Sequence, residues 1–382
     1  MTTATAPSAG ASHMSTIDSV DIVGCGVLSA AGRGLAALAE RFAAEPEPAP
    51  DVAAEPGLPP LPVREVAGFD PAALLGKKGL SRMTATDQLA LAAVADALED
   101  AGDGLPSAET GIVLGTALGS ASGVLDFLRD TFEQASPYLV NPSHFPGTLM
   151  NSAAGKSAIR QGLTGLNATV SGGALAGLNA LRYARTMLVA GRAQRLFTGA
   201  VEELTPAVAW AWHEGNALAT GTALAEGGAV FALDAPGVTR AGGRVLGRIS
   251  AVTAGFSDPA AGLGGVSERL AAAVRDALAE AGLAPGDITA VMPGARGRRG
   301  WAAVEERGLR AVFGAGPRQR TDHVLGETHG AGVALNLAVL LSGWQYPWRT
   351  GGCGGAAVLT SAGFDGSVGC LVVTHPDYPH HP

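Results

Sequence analysis

The chain has 382 residues, enough for about two or three domains or for one duplicated fold. Its 47% content of hydrophobic residues excludes an intrinsically disordered protein, and its net charge of −8 disfavours nucleic acid as a partner. Charged residues make up 16% of the chain where about 25% is usual, so we expect a body that hides much of its surface in an oligomeric interface.

The first residues carry neither a basic start nor an apolar stretch, which argues against a secretory signal. We predict a disordered leader over residues 1–15. No apolar run reaches the roughly 18 residues that a membrane-spanning helix needs, and the best candidate, residues 333–341, is too short. Cys25, Cys353 and Cys370 are too few and too scattered for a disulfide framework or a zinc site, so we expect no metal and a reducing, cytoplasmic location.

The first predicted elements are a strand at residues 20–27 and, after a proline-rich surface segment at residues 45–62, a helix. Thr84 with Asp87 is typical of the capping box that starts a helix, and Gly102 of the position that ends one. The chain therefore begins with the strand and helix order of an α/β protein.

Short apolar strands and helices alternate along the rest of the chain. One helix is predicted over residues 175–189. The strands are predicted at residues 112–114, 195–199, 228–233, 288–292 and 369–373. This alternation indicates an α/β protein with largely buried sheets.

An internal repeat relates two parts of the chain, because residues 94–115 resemble residues 274–294. Six identical residues recur at a constant offset of 180, and each copy is a helix, a loop and a strand. Two similar halves are predicted, with the chain divided into a leader at residues 1–15, an N-terminal half at 16–235, a C-terminal half at 236–375 and a tail at 376–382.

A glycine-rich turn follows a strand in the segment TVSGGALAGLNAL, which starts at Thr169. Such a turn places one side chain at the start of a helix, where backbone N–H groups stabilise a thiolate or an oxyanion. The segment resembles the nucleophile elbow of the β-ketoacyl synthases of the thiolase superfamily, whose cysteine accepts an acyl chain from a carrier protein. Ala174 stands at the position of that cysteine.

Four other segments resemble the same family in the correct order. They are VDIVGCGVLSAAG from Val20, NPSHFPGTLMNSAAGKSAI from Asn141, LAEGGAVFALD from Leu224 and SAGFDGSVGCLVV from Ser361. Together with the elbow they span residues 19–374. The resemblance implies an α/β protein with the thiolase-type αβαβα layered fold, built from two similar halves and needing no cofactor.

Both catalytic histidines of the family are replaced in this chain. The family's Asn-Ala-His-Gly-Thr pattern corresponds to residues 292–296, which puts Gly294 at the first histidine. Its Gly-His-x-x-Gly-Ala pattern corresponds to GETHGAG, which puts Glu327 at the second, while Glu305 keeps a downstream acidic position. An alanine cannot be acylated, a glycine has no imidazole, and a carboxylate donates no hydrogen bond to an enolate unless it is protonated.

The loss of all three reactive groups resembles the chain-length factor of bacterial type II polyketide synthases. In that family an inactive subunit pairs with an active, cysteine-bearing ketosynthase, and the growing chain lies in a tunnel at their interface. Many chain-length factors have glutamine where this chain has Ala174. The resemblance implies a heterodimer in which the acyl carrier protein docks mainly on the partner. The resemblance implies either an aromatic or a reduced polyene product, and the closeness of residues 141–156 to fatty-acid-type synthases favours the polyene.

The same resemblance predicts the residues that shape the tunnel. The candidates on the helix after GTALGS are Val124, Phe127, Leu128 and Thr131. Leu149 and Met150 match the stretch that reaches across the family's dimer axis, and Phe364 matches its gate phenylalanine. Ordinary core packing is the competing interpretation for the four helical residues, because their spacing is helical.

Several residues near the replaced positions allow more than one interpretation. His323 or His329 is either a realigned catalytic histidine or a satisfied polar residue. Glu327 either closes the empty pocket by pairing with Arg296 or Arg298, or is an exposed or water-bonded carboxylate. The segment ARGRRG at residues 295–300 is either a docking patch for an acidic carrier protein or a solvated loop.

Two other functions compete with the chain-length factor. One is a divergent condensing or acyl-transfer enzyme that uses Ser171, Cys353 or a realigned histidine. The other is a homodimeric protein that holds a hydrophobic ligand. Cys25 and Cys370 lie in predicted strands and are expected to be buried apolar residues, which leaves Cys353 as the thiol to test for reactivity.

Overall fold

The computed structural model describes residues 19–44, 57–102, 105–239, 243–316, 318–346 and 354–379, so the predicted leader and Cys353 lie outside the described residues. The strands in these ranges are β1 (Val20–Ser29), β2 (Gly32–Arg33), β3 (Val63–Arg64), β4 (Thr110–Gly115), β5 (Asn167–Val170), β6 (Arg195–Glu202), β7 (Leu224–Ala225), β8 (Gly227–Asp234), β9 (Gly247–Phe256), β10 (Ile288–Met292), β11 (Ala356–Ala362) and β12 (Ser367–Thr374).

The α-helices in the described ranges connect these strands. They are α1 (Gly34–Ala43), α2 (Pro71–Leu75), α3 (Ala85–Ala101), α4 (Ala121–Glu133), α5 (Ser152–Gln161), α6 (Ala176–Val189), α7 (Pro206–Glu214), α8 (Leu263–Glu280), α9 (Trp301–Phe313), α10 (Asp322–Leu325) and α11 (Gly332–Gln345). A 3-10 segment at Pro142–Thr148 lies between α4 and α5.

One mixed sheet organises the described residues. Its strand order is β10-β11-β12-β9-β1-β8-β6-β4-β5, with β2 paired to β1, while β3 and β7 form a separate pair. Strand β4 runs parallel to β5 and β6, and β10 runs parallel to β11, whereas the central pairs are antiparallel. The pairing of β1 with β9 joins the side of the sheet that contains β4 to the side that contains β10, and β5 and β10 are the edges.

Helices cover the sheet in layers. Helices α6 and α11 share one apolar core with residues from β1, β6, β8, β9, β11 and β12. Helices α3 and α5 form a second core against β1, β4, β6 and β8, and α8 and α9 form a third core against β9, β11 and β12. Every residue of α11 from Val333 to Ser342 is buried, because this helix is covered by other elements on all sides.

The predicted elements largely match the observed ones. The capping box of Thr84 and Asp87 starts α3, and Gly102 follows its end with a φ of 69°. The repeat corresponds to α3 with β4 and α8 with β10. The sequence patterns missed β9 and β11. The division into halves at residue 235 stays a prediction.

The apolar segments have ordinary roles inside the fold. The described parts of the chain contain no helix that is long and apolar enough to cross a membrane, and the candidate at residues 333–341 belongs to the buried α11. Cys25 in β1 and Cys370 in β12 are buried, and burial raises the pKa of both thiols. Neither thiol is therefore activated as a nucleophile.

Candidate functional site

The glycine turn predicted as a nucleophile elbow connects β5 to α6. Gly173 adopts a φ of 52°, which favours glycine, and a 3-10 turn over Gly173–Leu175 leads into α6. Ala174 is buried in this turn, where its carbonyl oxygen accepts a hydrogen bond of 3.0 Å from the Ser361 hydroxyl. The backbone of an elbow is present, and its side chain is a methyl group.

Gly294 lies in the loop after β10, where the backbone leaves no room for a side chain. A Cβ atom at Gly294 would lie 2.4 Å from the carbonyl oxygen of Thr360. The buried Glu305 carboxyl holds this loop by accepting hydrogen bonds from the Gly294 N–H at 3.0 Å and the Ala295 N–H at 2.8 Å. Burial raises the pKa of Glu305, and these bonds oppose that shift. A histidine would fit here only if the backbone moved.

Glu327 forms a buried ion pair with Arg298. The Arg298 guanidinium donates to Glu327 Oε1 at 3.0 and 3.3 Å and to the Ala362 carbonyl oxygen at 2.7 Å, and the side chains are 1% and 3% exposed. The His329 N–H also donates to Glu327 Oε1, at 2.8 Å. Burial raises the pKa of Glu327 and the Arg298 charge opposes that rise.

These contacts decide between the interpretations of Glu327 and of the ARGRRG segment. The interpretation of an exposed Glu327 is wrong, and the arginine that pairs with it is Arg298, because Arg296 instead approaches Glu306 at 3.9 Å. The Arg299 Nε donates to the Leu218 carbonyl oxygen at 3.1 Å. Because Arg298 is buried, the segment is not a solvated loop throughout. For the same reason its arginines do not form one continuous basic patch.

The end of β11 brings the three replaced positions together. Thr360 lies against Gly294, Ser361 bonds to the Ala174 carbonyl, and the Ala362 carbonyl accepts from the Arg298 that pairs with Glu327. We call Ala174, Gly294 and Glu327, together with these contacts, the vacated site. The guanidinium of Arg298 and the backbone of β11 occupy its interior.

Only one of the two candidate histidines lies beside the vacated site. The His329 ring packs edge-on against Trp212 with a centroid distance of 5.7 Å, and its backbone has a φ of 48°. Burial, with a contribution from Arg298, lowers the pKa of His329 to about 4, so the ring is neutral at neutral pH. The His323 ring packs instead on Phe42 of α1.

The predicted gate residue Phe364 is held by aromatic neighbours. Its ring centroid lies 5.7 Å from that of Trp212 and 5.7 Å from that of Trp301, and 40% of the residue is exposed. The two tryptophans are buried. Phe364 thus forms one wall beside the vacated site, between side chains of α7 and α9.

Helix α4 carries the predicted tunnel residues, and none of its residues is buried. Phe127 packs edge-on against Phe145 with a centroid distance of 5.9 Å, and the Thr131 hydroxyl donates to the Leu128 carbonyl of its own helix at 2.6 Å. Val124 is half-buried and Leu128 is 47% exposed. Core packing within this chain therefore does not account for these side chains.

A broad apolar surface surrounds α4 and the segment that follows it. We call this surface the α4 face. Its exposed large residues are Leu118, Leu125, Leu128, Phe132, Tyr138, Leu139, Phe145, Leu149, Met150 and Ile159. Phe132 and Ile159 are 85% and 84% exposed. Leu149 and Met150, predicted to reach across a dimer axis, belong to this face. An apolar surface of this kind marks an interaction site.

Two buried carboxyl groups were not predicted from the sequence. Glu202 and Glu203 follow each other at the end of β6, and both are 5% exposed. Glu202 accepts a hydrogen bond of 2.5 Å from the Ala117 N–H, and burial raises the pKa of Glu202 to about 8. An adjacent acidic pair directly after a buried strand was the signal available in the sequence.

Comparison with known proteins identifies the family. The sequence profile of the β-ketoacyl synthase N-terminal domain matches residues 20–249. The chain belongs to the β-ketoacyl synthase family. The predicted family is thereby confirmed, as is the thiolase-type fold, because solved β-ketoacyl synthases share it over almost the whole chain.

Curated β-ketoacyl synthases match a limited stretch of this family member. It is 33% identical over 142 residues to 3-oxoacyl-[acyl-carrier-protein] synthase 2 of Vibrio cholerae, and 30% identical over 141 residues to the enzyme of the same name from Vibrio harveyi. These stretches cover 36% of this chain and 34% of each relative. The matched region thus spans about a third of the relatives' length.

Solved structures of the family match more completely. The ishigamide ketosynthase/chain length factor is 32% identical, with a TM-score of 0.79 over 94% of this chain and 99% of the other. A β-ketoacyl synthase from Burkholderia phymatum is 18% identical, with a TM-score of 0.80 over 94% of this chain and 99% of the other. At that lower identity the likeness shows the shared fold.

Proposed function

We propose that this β-ketoacyl synthase relative is a non-catalytic chain-length factor. It pairs with a cysteine-bearing ketosynthase subunit and shapes the tunnel in which that subunit extends an acyl or polyketide chain. The product belongs to type II polyketide synthesis, with a highly reduced polyene favoured over an aromatic chain. The acyl carrier protein docks mainly on the partner, and the complex works in the cytoplasm.

The observation that carries the proposal is that the vacated site has no catalytic groups and that Arg298 and the backbone of β11 occupy it. A condensing enzyme needs a nucleophile and groups that donate hydrogen bonds to the developing enolate oxygen. In this chain the nucleophile position is a methyl group, the first histidine position has no space for a side chain, and the second is bound to Arg298. Repair by a neighbouring group would require displacing a buried ion pair.

The α4 face supports the heterodimer. Helix α5, which carries Ile159 of this face, packs against β5, one of the two edge strands of the sheet in the described residues. An apolar surface beside an unpaired strand is the kind of region that a partner subunit covers. The similarity over nearly the full length to a structure named as a ketosynthase/chain length factor supports the same assignment.

Co-expression with the ketosynthase encoded next to this chain tests the proposal. We expect a stable one-to-one complex that extends malonyl groups on the acyl carrier protein, and no extension by the isolated chain, as measured by mass spectrometry of the carrier. A ketosynthase with its cysteine replaced by alanine is the control, and its complex should form without extending any chain.

Two outcomes would contradict the proposal. Extension by the isolated chain, with an electrophilic acyl probe labelling Ser171, Cys353 or His329, would identify a divergent enzyme. A homodimer that binds a fatty acid and forms no complex with the ketosynthase would identify a binding protein.

A further inference from the structure

Helix α4 packs against the rest of the described chain without burying any of its own residues. It has thirteen residues and none of them is buried, whereas the ten-residue α5 buries four. The segments that α4 touches most, Pro142–Thr148 and Pro137–Leu139, are largely exposed themselves. Apolar packing therefore does not fix the position of this helix on the rest of the chain.

The Glu203 carboxyl joins α4 to the well-packed helix α3. Its Oε1 accepts hydrogen bonds from the N–H and the hydroxyl of Ser122, both at 2.9 Å. Its Oε2 accepts from the N–H and the hydroxyl of Thr86 at 3.1 and 2.9 Å. Ser122 and Thr86 each lie in the first turn of their helix, where backbone N–H groups have no partner within the helix. One carboxyl group thus caps two helices.

The neighbouring Glu202 holds the loop that leads into α4. It accepts from the Ala117 N–H at 2.5 Å and from the Thr116 hydroxyl at 3.4 Å. The Thr116 hydroxyl in turn accepts from the Gly119 N–H at 2.9 Å. Strand β6 lies inside the described sheet, between β8 and β4, and it ends at Glu202, so both carboxyl groups are attached to a rigid element or directly follow it.

We propose that Glu203, with Glu202 beside it, is the positioning residue that sets where α4 lies. On the proposed function, on which this inference rests, α4 carries the side chains at the far wall of the tunnel. Glu203 then influences product length without lining the tunnel, because it fixes the distance of that wall from the body of the subunit.

The sharpest variant is Glu203→Gln. Each oxygen of Glu203 accepts a backbone N–H from a different helix, so an amide, with one accepting oxygen, satisfies only one of them. Since α3 is held by its buried face, α4 is the helix that is released. Glu305→Gln is the matched control, because Glu305 is also buried and its two oxygens also accept separate backbone N–H groups, from Gly294 and Ala295.

Hydrogen exchange of the isolated chain measures the anchoring directly and needs no partner. We expect Glu203→Gln to speed exchange in peptides that cover residues 117–133 by at least tenfold, and Glu305→Gln to leave those peptides unchanged while speeding exchange around Gly294. Unchanged exchange over residues 117–133 in a folded Glu203→Gln chain would overturn the inference, whatever the function of the protein.

Product analysis of the complex with the ketosynthase measures the consequence. We expect Glu203→Gln to shift the carrier-bound chains by at least one two-carbon unit, and Glu305→Gln to keep the wild-type distribution even where it lowers the yield. Released α4 with unchanged product lengths in an active complex would overturn the role in length control. Failure of the wild-type chain to form a complex would instead reject the proposed function, and hydrogen exchange would still decide the anchoring.

Discussion

The vacated site and the α4 face differ in what they bury: the vacated site buries charged groups, and the α4 face exposes apolar ones. In the vacated site the Arg298 guanidinium and the Glu327 carboxyl group are buried together as an ion pair; the guanidinium also donates to the Ala362 carbonyl oxygen, and the carboxyl group accepts from the His329 N–H. On the α4 face large apolar side chains are exposed, up to 85% at Phe132. The buried charges of the vacated site find their partners within the chain, whereas the exposed apolar side chains of the α4 face are available to another surface. The proposed function predicts this contrast, because it requires a site without catalytic groups and a surface that a partner covers.

The largest effect is expected at Arg298. Arg298→Ala should lower the free energy of unfolding by about 3–5 kcal/mol, because it leaves the Glu327 carboxyl buried without its cation. Urea unfolding at neutral pH measures the change. The double variant Arg298→Met with Glu327→Met is the control, and it should recover at least half of the loss. A loss below about 1 kcal/mol for Arg298→Ala would mean that the pair is not needed to fill the site.

An effect of comparable size concerns Glu202 and pH. Because its pKa is raised from 4.5 to about 8 in the folded chain, its stabilising contribution is full below pH 4.5 and is lost as the pH rises through 8. The free energy of unfolding should fall over this window by about 1.4 kcal/mol for each unit of the pKa shift. Glu202→Gln keeps an acceptor for the Ala117 N–H and should remove this slope.

Urea unfolding from pH 5 to pH 9 measures the free energy of unfolding of the wild-type chain and of Glu202→Gln. The difference between the two curves isolates the contribution of Glu202. The comparison is needed because the lowered pKa of His329 acts in the opposite direction below pH 6.5. Parallel curves for the two chains would show that Glu202 is solvated and charged throughout.

A smaller effect is expected on the α4 face. Phe132→Asp should weaken association with the ketosynthase subunit about thirtyfold, because a charge replaces an aromatic ring that the partner buries. The folded chain alone should keep its stability, since Phe132 is 85% exposed. Calorimetric titration measures the affinity. Phe256→Asp, at a 61% exposed site outside this face, is the matched control, and an equal loss there would reject the α4 face as the interface.

The smallest effect is expected when the nucleophile alone is restored. Ala174→Cys should leave the isolated chain unable to extend a malonyl-carrier substrate, because Gly294 and the Arg298–Glu327 pair still deny it both histidine positions. Mass spectrometry of the carrier gives the readout. Chain extension by this variant would show that the vacated site is only one substitution away from catalysis.

Sequence patterns identified the elements whose signals are local. The strand at residues 288–292 agrees with β10 at both ends, and the capping box of α3 is present as predicted. Strands β9 and β11 were missed because they are rich in glycine, alanine and serine, which carry no strong strand pattern. These small residues suit strands that are packed closely by helices and neighbouring strands.

The sequence alone shows which family groups are replaced, because Ala174 and Gly294 carry no reactive group and Glu327 has a carboxyl group where the family has an imidazole. It also determined the repeat and the family. What took the place of the replaced groups follows from the way the layers pack together. Arg298 meets Glu327 across 29 positions and Glu203 meets Ser122 across 81, and such contacts depend on how the layers pack rather than on any local pattern.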